Sequence, residues 1–269
     1  MKFPVVMAIV NVTPDSFSDG GLYLEPESAI KRALEAVEAG AQIVDLGAES
    51  TRPGAKEVSP EEQKRRLKEV ISAIKRHSDV LISVDTRSAD VAAWALKQGA
   101  GMINDVSGFK HDPEMVKVLA KFQPFAVAMH MRGTPEDMRD RAHYHDLLWE
   151  IAGELLESAR LASRAGFDLD RLWFDPGIGF AKTAQQSAEV AANIRFFKSL
   201  GRPLVIGPSR KSFLGAITGK ERPVDRVWAT AAAVAIAVFE GADCVRVHDV
   251  AEMTDVVKVA SRLREVRRA

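Results

Sequence analysis

Several short apolar runs in this chain end in a side chain that can ionise or hydrogen-bond. LISVD closes on Asp85, GMIND carries Asn104, RLWFD closes on Asp175, and CVRVH carries Arg246 and His248. Singly, each fits a structural ion-pair network as well as it fits a ligand site. Together they fit a site better. Two carboxylates and an amide in one apolar-walled mouth need partners that Arg246 and Lys211 do not fully supply. A carboxylate accepts two parallel N–H bonds, so the set suits a ring with an N–H beside an amino group, an edge that pterins and guanine-like rings present. GPSRKSF, residues 207–213, places a hydroxyl and two cations where a short helix would open toward Gly219, an arrangement that favours anions. NVTPDSFSDGG, residues 11–21, is rich in turn formers and longer than the roughly two to six residues a connector needs. Its bare Phe17 has nothing nearby in sequence to bury it, so a ligand is expected to come to the loop. His77, His111, His143 and His145 lie among charged residues and are expected at the surface. No His/Cys/Glu run has transition-metal spacing, so any metal is expected to be Mg²⁺ held mostly by ligand phosphates and water.

Such groups need a frame to hold them. Eight β-branched apolar runs recur (VVMAIV, QIVDLG, LISVD, GMIND, FAVAMH, RLWFD, PLVIG and CVRVH), with amphipathic segments between them. Over 269 residues that is about 34 residues per unit, the size of a strand–helix repeat in an eightfold (β/α)8 TIM barrel. A doubly wound open sheet is the alternative, and the regular count of eight favours the barrel as a single domain over residues 1–269. The loops after the strands are polar, whereas those before them, such as EAGAQ and KQGAG, are plain. This asymmetry puts chemistry at the C-terminal ends of the strands. Ser59-Pro60 reads as a helix start, and Gly40, Gly99, Gly166 and Gly241 sit where helices should stop.

Lys+Arg and Asp+Glu balance at 37 each, which gives nucleic acid or an anionic membrane no global attraction. One cysteine, Cys244, and the absence of a signal peptide suggest a cytoplasmic protein. The helix expected in VDRVWATAAAVAIAVFEG is apolar nearly all round. A homodimer through the seventh and eighth helices is therefore expected.

MAIVNVTPDSFSDGG, AESTRPGA, NDVSG, MHMRGTPEDM, DPGIGF, GPSRKSF and RVHDV together resemble the dihydropteroate synthases, in order and across essentially the whole chain. The resemblance implies condensation of 6-hydroxymethyl-7,8-dihydropterin diphosphate with 4-aminobenzoate, releasing diphosphate. It puts the pterin on Asp85, Asn104, Asp175 and Lys211, and diphosphate on Thr51, Arg246 and His248. Mg²⁺ would sit on Asn11, and 4-aminobenzoate among Phe17, Pro53, Phe180 and Ser212. The catalytic set would be Asp15, Arg52 and Lys211. The 11–21 loop is expected to close as a lid, with Gly20 and Gly21 permitting the swing and Asp15 facing the pterin methylene. Ala48 and Ala181 stand where the family often has Gly, and KTAQQSAE departs from its usual sequence at the expected start of the sixth helix. A non-catalytic pterin-binding paralogue and a pterin-dependent methyltransferase are the alternatives; the 11–21 loop and SRKSF argue against the second.

Overall fold

The computed structural model describes residues 4–13, 26–51 and 54–267. Asp15, Phe17, Gly20, Gly21, Arg52 and Pro53 lie outside these described residues. All eight expected strands form: β1 (Val5–Asn11), β2 (Ile43–Gly47), β3 (Leu81–Asp85), β4 (Met102–Asp105), β5 (Phe125–Met129), β6 (Leu172–Asp175), β7 (Val205–Ile206) and β8 (Cys244–Val247). All pair in parallel, in the order β6-β5-β4-β3-β2-β1-β8-β7. The ends meet at one parallel bridge, Phe174 to Leu204, where the Phe174 N–H donates to Pro203 O at 2.9 Å. The result is a nearly closed barrel, and the open-sheet alternative falls.

Side chains alternate across a strand, and the registers show what this places inside. Val5, Met7, Ile43, Met102, Val127, Trp173, Val205 and Cys244 form one buried apolar cluster, the barrel interior. Two residues further along, the same inward face carries Asp45, Asn104, Asp175 and Arg246. A period of two thus converts an apolar floor into a polar mouth within one residue pair. The opposite strand faces bury Val10, Val44, Leu46, Ile103 and Phe174 beneath the helices.

The surrounding helices are α1 (Pro26–Glu38), α2 (Pro60–His77), α3 (Ala89–Gln98), α4 (Met115–Phe122), α5 (Leu147–Arg164), α6 (Ala184–Ala192) with its continuation α7 (Ile194–Lys198), α8 (Ser212–Thr218), α9 (Val227–Glu240) and α10 (Val250–Val266). Their ends follow the expected chemistry. Ser59 Oγ accepts from Glu62 N to start α2, and left-handed Gly99 and Gly241 stop α3 and α9. The departing segment KTAQQSAE starts α6 with a reciprocal capping box between Thr183 and Gln186. Among the described residues, no helix is long and apolar enough to cross a membrane.

Candidate active site

The polar ring at the mouth is cross-linked by ion pairs. Arg246 Nε donates to Asp45 Oδ2 at 2.7 Å and Nη2 to Asp85 Oδ2 at 2.9 Å. Asn104 Nδ2 donates to the same Asp45 oxygen at 3.0 Å, which fixes the direction of the amide. Sequence reasoning missed Asp45. It is completely buried, and its Oδ1, like Ser83 Oγ in the register position beside it, has no hydrogen-bond partner among the described residues. Its signal was available: a lone acid inside an apolar strand, in phase with the inward residue Ile43. Burial lifts the Asp85 carboxyl above the ordinary carboxylate range, against the pull of Arg246.

Asp175 ends β6, and its Oδ1 accepts the Gly177 N–H at 2.7 Å, the first link of a tight loop. Burial raises its pKa too. Gly177, Gly179 and Ala181 all have left-handed backbone, with φ of 68°, 80° and 47°. At Gly177 the need is steric as well, since a Cβ would lie 2.0 Å from His130 O. The Phe180 ring, 9 % exposed, lies under Lys211, whose Nζ is 4.0 Å from its centroid. Burial and the neighbouring Arg246 lower Lys211 to about 8. Lys211 is also the residue before α8, so Ser212 opens that short helix as expected.

His248 follows β8. Its backbone N–H donates to Ser209 Oγ at 3.1 Å, and its Nδ1 lies 3.0 Å from the same oxygen. With Ser209 donating to Nδ1, the proton of a neutral imidazole sits on Nε2. Burial and the nearby Arg210 lower its pKa to about 3, so the ring is a neutral N–H donor at pH 7. Arg210 departs from the expected anion cradle. It has left-handed backbone, and its guanidinium is bound to Asp249, with Nε to Oδ2 at 3.0 Å. That cation is spent on the neighbouring loop after β8. Arg246 also differs, because two of its three nitrogens serve Asp45 and Asp85 before any phosphate arrives.

Asn11 is exposed at the end of β1, and its Oδ1 lies near the Cα side of Gly47 at the mouth. Thr51 is half-buried at the end of the β2 loop. Of the two departures from Gly, Ala48 is fully buried, and Ala181 O accepts the Tyr144 hydroxyl at 2.8 Å. His77, His111, His143 and His145 are exposed. His130 was not singled out; it is 1 % exposed behind the Asp175 loop, where Lys182 reaches it.

A parallel barrel whose strand ends gather two carboxylates, an amide and two cations offers acceptors and donors that match a flat ring rich in N–H groups. The family described as "Pterin binding enzyme" matches residues 7–248, so fold and site define a pterin-binding barrel enzyme. A dihydropteroate synthase of Synechocystis sp. is 44 % identical over 262 residues, covering 97 % of this chain and 91 % of that protein. The structure of a Clostridium difficile dihydropteroate synthase, determined in the presence of pteroic acid, superposes with a TM-score of 0.91 at 38 % identity, covering 97 % of each chain. That of the Xanthomonas albilineans enzyme with 4-aminobenzoic acid does so at 0.91 and 40 % identity, covering 98 % of this chain and 94 % of the other. The chain belongs to the dihydropteroate synthase family, transferases of folate biosynthesis, and the methyltransferase reading is set aside.

Proposed function

We propose that the barrel mouth joins 6-hydroxymethyl-7,8-dihydropterin diphosphate to 4-aminobenzoate with the pterin on Asp85, Asn104, Asp175 and Lys211. The observation that carries this reading is the buried carboxylate of Asp175 in one apolar-floored mouth with Asp85, which Arg246 binds, and Asn104, which Asp45 binds. Relatives whose structures were determined in the presence of pteroic acid or with 4-aminobenzoic acid support it. Asp175 accepts the paired ring N–H groups, and Lys211 donates to a ring acceptor. Phe180 and the Lys211 stem form the apolar wall for the aminobenzoate ring, and Ser212 takes its carboxylate. His248 Nε2–H and the Thr51 hydroxyl donate to the diphosphate oxygens, with the remaining Nη of Arg246 beside them.

The chain also fits Mg²⁺. Among the described residues no cluster of His, Cys, Asp and Glu could hold a metal. Asn11 at the mouth supplies one hard oxygen, leaving diphosphate and water to complete the shell, as this ion prefers. When bound, Mg²⁺ neutralises charge on the departing diphosphate. In the reaction the methylene C–O bond breaks with its electron pair on the diphosphate. The aniline lone pair forms the C–N bond, and the displaced proton passes to water. An aniline is largely neutral near pH 7, so the step requires no general base. In this reading Asp15 stabilises positive charge at the methylene, Arg52 accompanies the diphosphate, and Phe17 and Pro53 add to the aminobenzoate wall.

The chain acts as a homodimer through α9 and α10 and works in the cytoplasm; the lone, buried Cys244 is compatible with that compartment. A coupled diphosphate-release assay with Mg²⁺ tests the reaction. Diphosphate release matched one for one by dihydropteroate formation when both substrates are present is expected, and release with no dihydropteroate formed would reject the condensation. Asp15→Asn should lower kcat tenfold or more, about 1.4 kcal/mol, with pterin diphosphate affinity little changed. Near-normal turnover would reduce Asp15 to a turn residue.

A further inference from the structure

The Asp175 loop is pinned from behind by a side chain that the reaction does not use. Residues 177–181 alternate through left-handed backbone and make one internal bond, Phe180 N–H to Gly177 O at 3.1 Å. A segment of that shape has carbonyls with no regular partner. Lys182 Nζ supplies them, donating to Gly177 O at 3.0 Å and Phe180 O at 3.1 Å. The third ammonium proton points at His130 Nδ1, 2.9 Å away. All three donors of the ammonium are therefore committed, which fixes its position in three dimensions.

His130 is itself fixed. Its backbone N–H donates to Asp175 O at 2.8 Å, and its Nε2 faces Glu154 Oε2 at 3.6 Å. The Glu154 carboxylate is held by Arg132 Nε and Lys110 Nζ, both at 2.7 Å. The 3.6 Å from Nε2 to Glu154 is too long for a hydrogen bond. It is the ammonium, which can only donate, that makes Nδ1 the acceptor and leaves the proton of a neutral ring on Nε2, toward the carboxylate. Burial holds the ring neutral, lowering its pKa to about 3. The order of dependence runs inward: His130, held by its backbone bond to Asp175, orients Lys182, and Lys182 holds two carbonyls. Those carbonyls belong to Gly177, whose N–H binds Asp175, and to Phe180, whose ring meets Lys211.

An ammonium here is a costly way to fill space, since withdrawing it from water is unfavourable and pulls Lys182 down to about 7. An aliphatic side chain would pack as well. What the cation adds is three directed bonds at one point. We propose that Lys182, oriented by His130, is a positioning residue of the transferase, setting the Gly177–Phe180 backbone so that Asp175 and Phe180 meet their ligands together. The inference rests on the pterin and aminobenzoate placement proposed above.

Turnover by the wild-type enzyme is measured first, because its absence would count against that placement and not against Lys182 alone. Lys182→Met, similar in length but without donors, should weaken pterin diphosphate binding at least fivefold by calorimetry and raise KM for 4-aminobenzoate at least fivefold. A lower Tm with both constants unchanged in the folded fraction would mean that Lys182 only packs, and would overturn the inference. His130→Leu should reproduce the Lys182→Met defect and add nothing to it in the double variant. His130→Gln, which keeps an acceptor for the ammonium, should stay within twofold of wild type. Full additivity of Lys182→Met with His130→Leu would overturn the inference. So would normal substrate constants in His130→Leu, a test that stands even if Lys182→Met does not fold. Nitrogen-15 imidazole shifts should show His130 with a bare Nδ1 and a protonated Nε2; a proton on Nδ1 would contradict the clamp.

Discussion

Asp175 and Asp45 are both buried carboxylates in one mouth, yet they do different work because their partners differ. Asp45 spends one oxygen on Arg246 and Asn104, so it holds those two side chains in place. Asp175 spends only one lone pair of Oδ1 on a backbone N–H at its own loop, which leaves acceptor capacity on both oxygens for the pair of ring N–H groups proposed above. Asp175→Ala should therefore weaken pterin binding by at least tenfold, since ring N–H groups would be buried without an acceptor, at about 1–3 kcal/mol. Unchanged affinity in calorimetry would make Asp175 a structural residue. At this scale the sequence was legible where a polar residue lay at or next to the end of a strand, as at Asp85, Asn104 and Asp175. It was not legible where the polar group served another side chain. Asp45 lay in mid-strand, and nothing local in the sequence says that His130 and Lys182, 52 residues apart, share a hydrogen bond.

At the level of elements, strands and caps were readable because they are local: alternation and capping residues lie within a few positions of what they determine. The loops after the strands were readable as sites but not as shapes. Nothing in GPSRKSF says that Arg210 turns left-handed to meet Asp249 on the far side of β8. Ala181 shows the same limit. The sequence marks an alanine where the family often has Gly, but not that the residue sits in left-handed backbone, where φ is 47°. Glycine adopts that conformation without the steric penalty, so Ala181→Gly should stabilise the protein by about 0.5–1 kcal/mol. That corresponds to a Tm rise of roughly 1–4 °C, measurable by calorimetry; a fall in Tm would show that the methyl contributes more than the strain removes.

The β5–α5 region behind the clamp has its own pH signature. Glu150 is lowered to about 2 by its hydrogen bond to Arg132, then by the Asp146 N–H. A folded pKa below the unfolded value of 4.5 means that stability is present above pH 4.5 and lost as pH falls toward 2. Tm should drop across that window, and Glu150→Gln should shrink the drop. An identical acid profile in the variant would show that Arg132 gains nothing from this partner.

For the whole molecule, the count of eight units was enough to predict the barrel, because each unit repeats one local pattern and parallel strands with helical crossovers bury both faces. The weak seam between β6 and β7 was not legible, since it depends on β7 being only two residues long and meeting Phe174 at one bridge. The outer surface raises the remaining question. Of nine large apolar side chains exposed among the described residues, five lie on α9 and α10: Trp228 (84 %), Ile236, Val259, Leu263 and Val266. On α9, Trp228, Ala232 and Ile236 are four residues apart, which aligns them along one outward face. The small alanines around them would let another helix approach closely. Burial by neighbouring helices of the same chain is excluded for these side chains, because α9 and α10 pack against each other and still leave them in water. A second copy pairing this face with itself would cover both sets at once, and a stable interface needs about 800 Å² per partner. Light scattering at micromolar concentration should give twice the 29.4 kDa chain mass. Ile236→Lys, which puts a charge in the middle of the α9 stripe, should shift that mass toward one chain while leaving the mouth intact. A monomeric wild type would refute the dimer. A variant that stayed dimeric would place the interface away from α9.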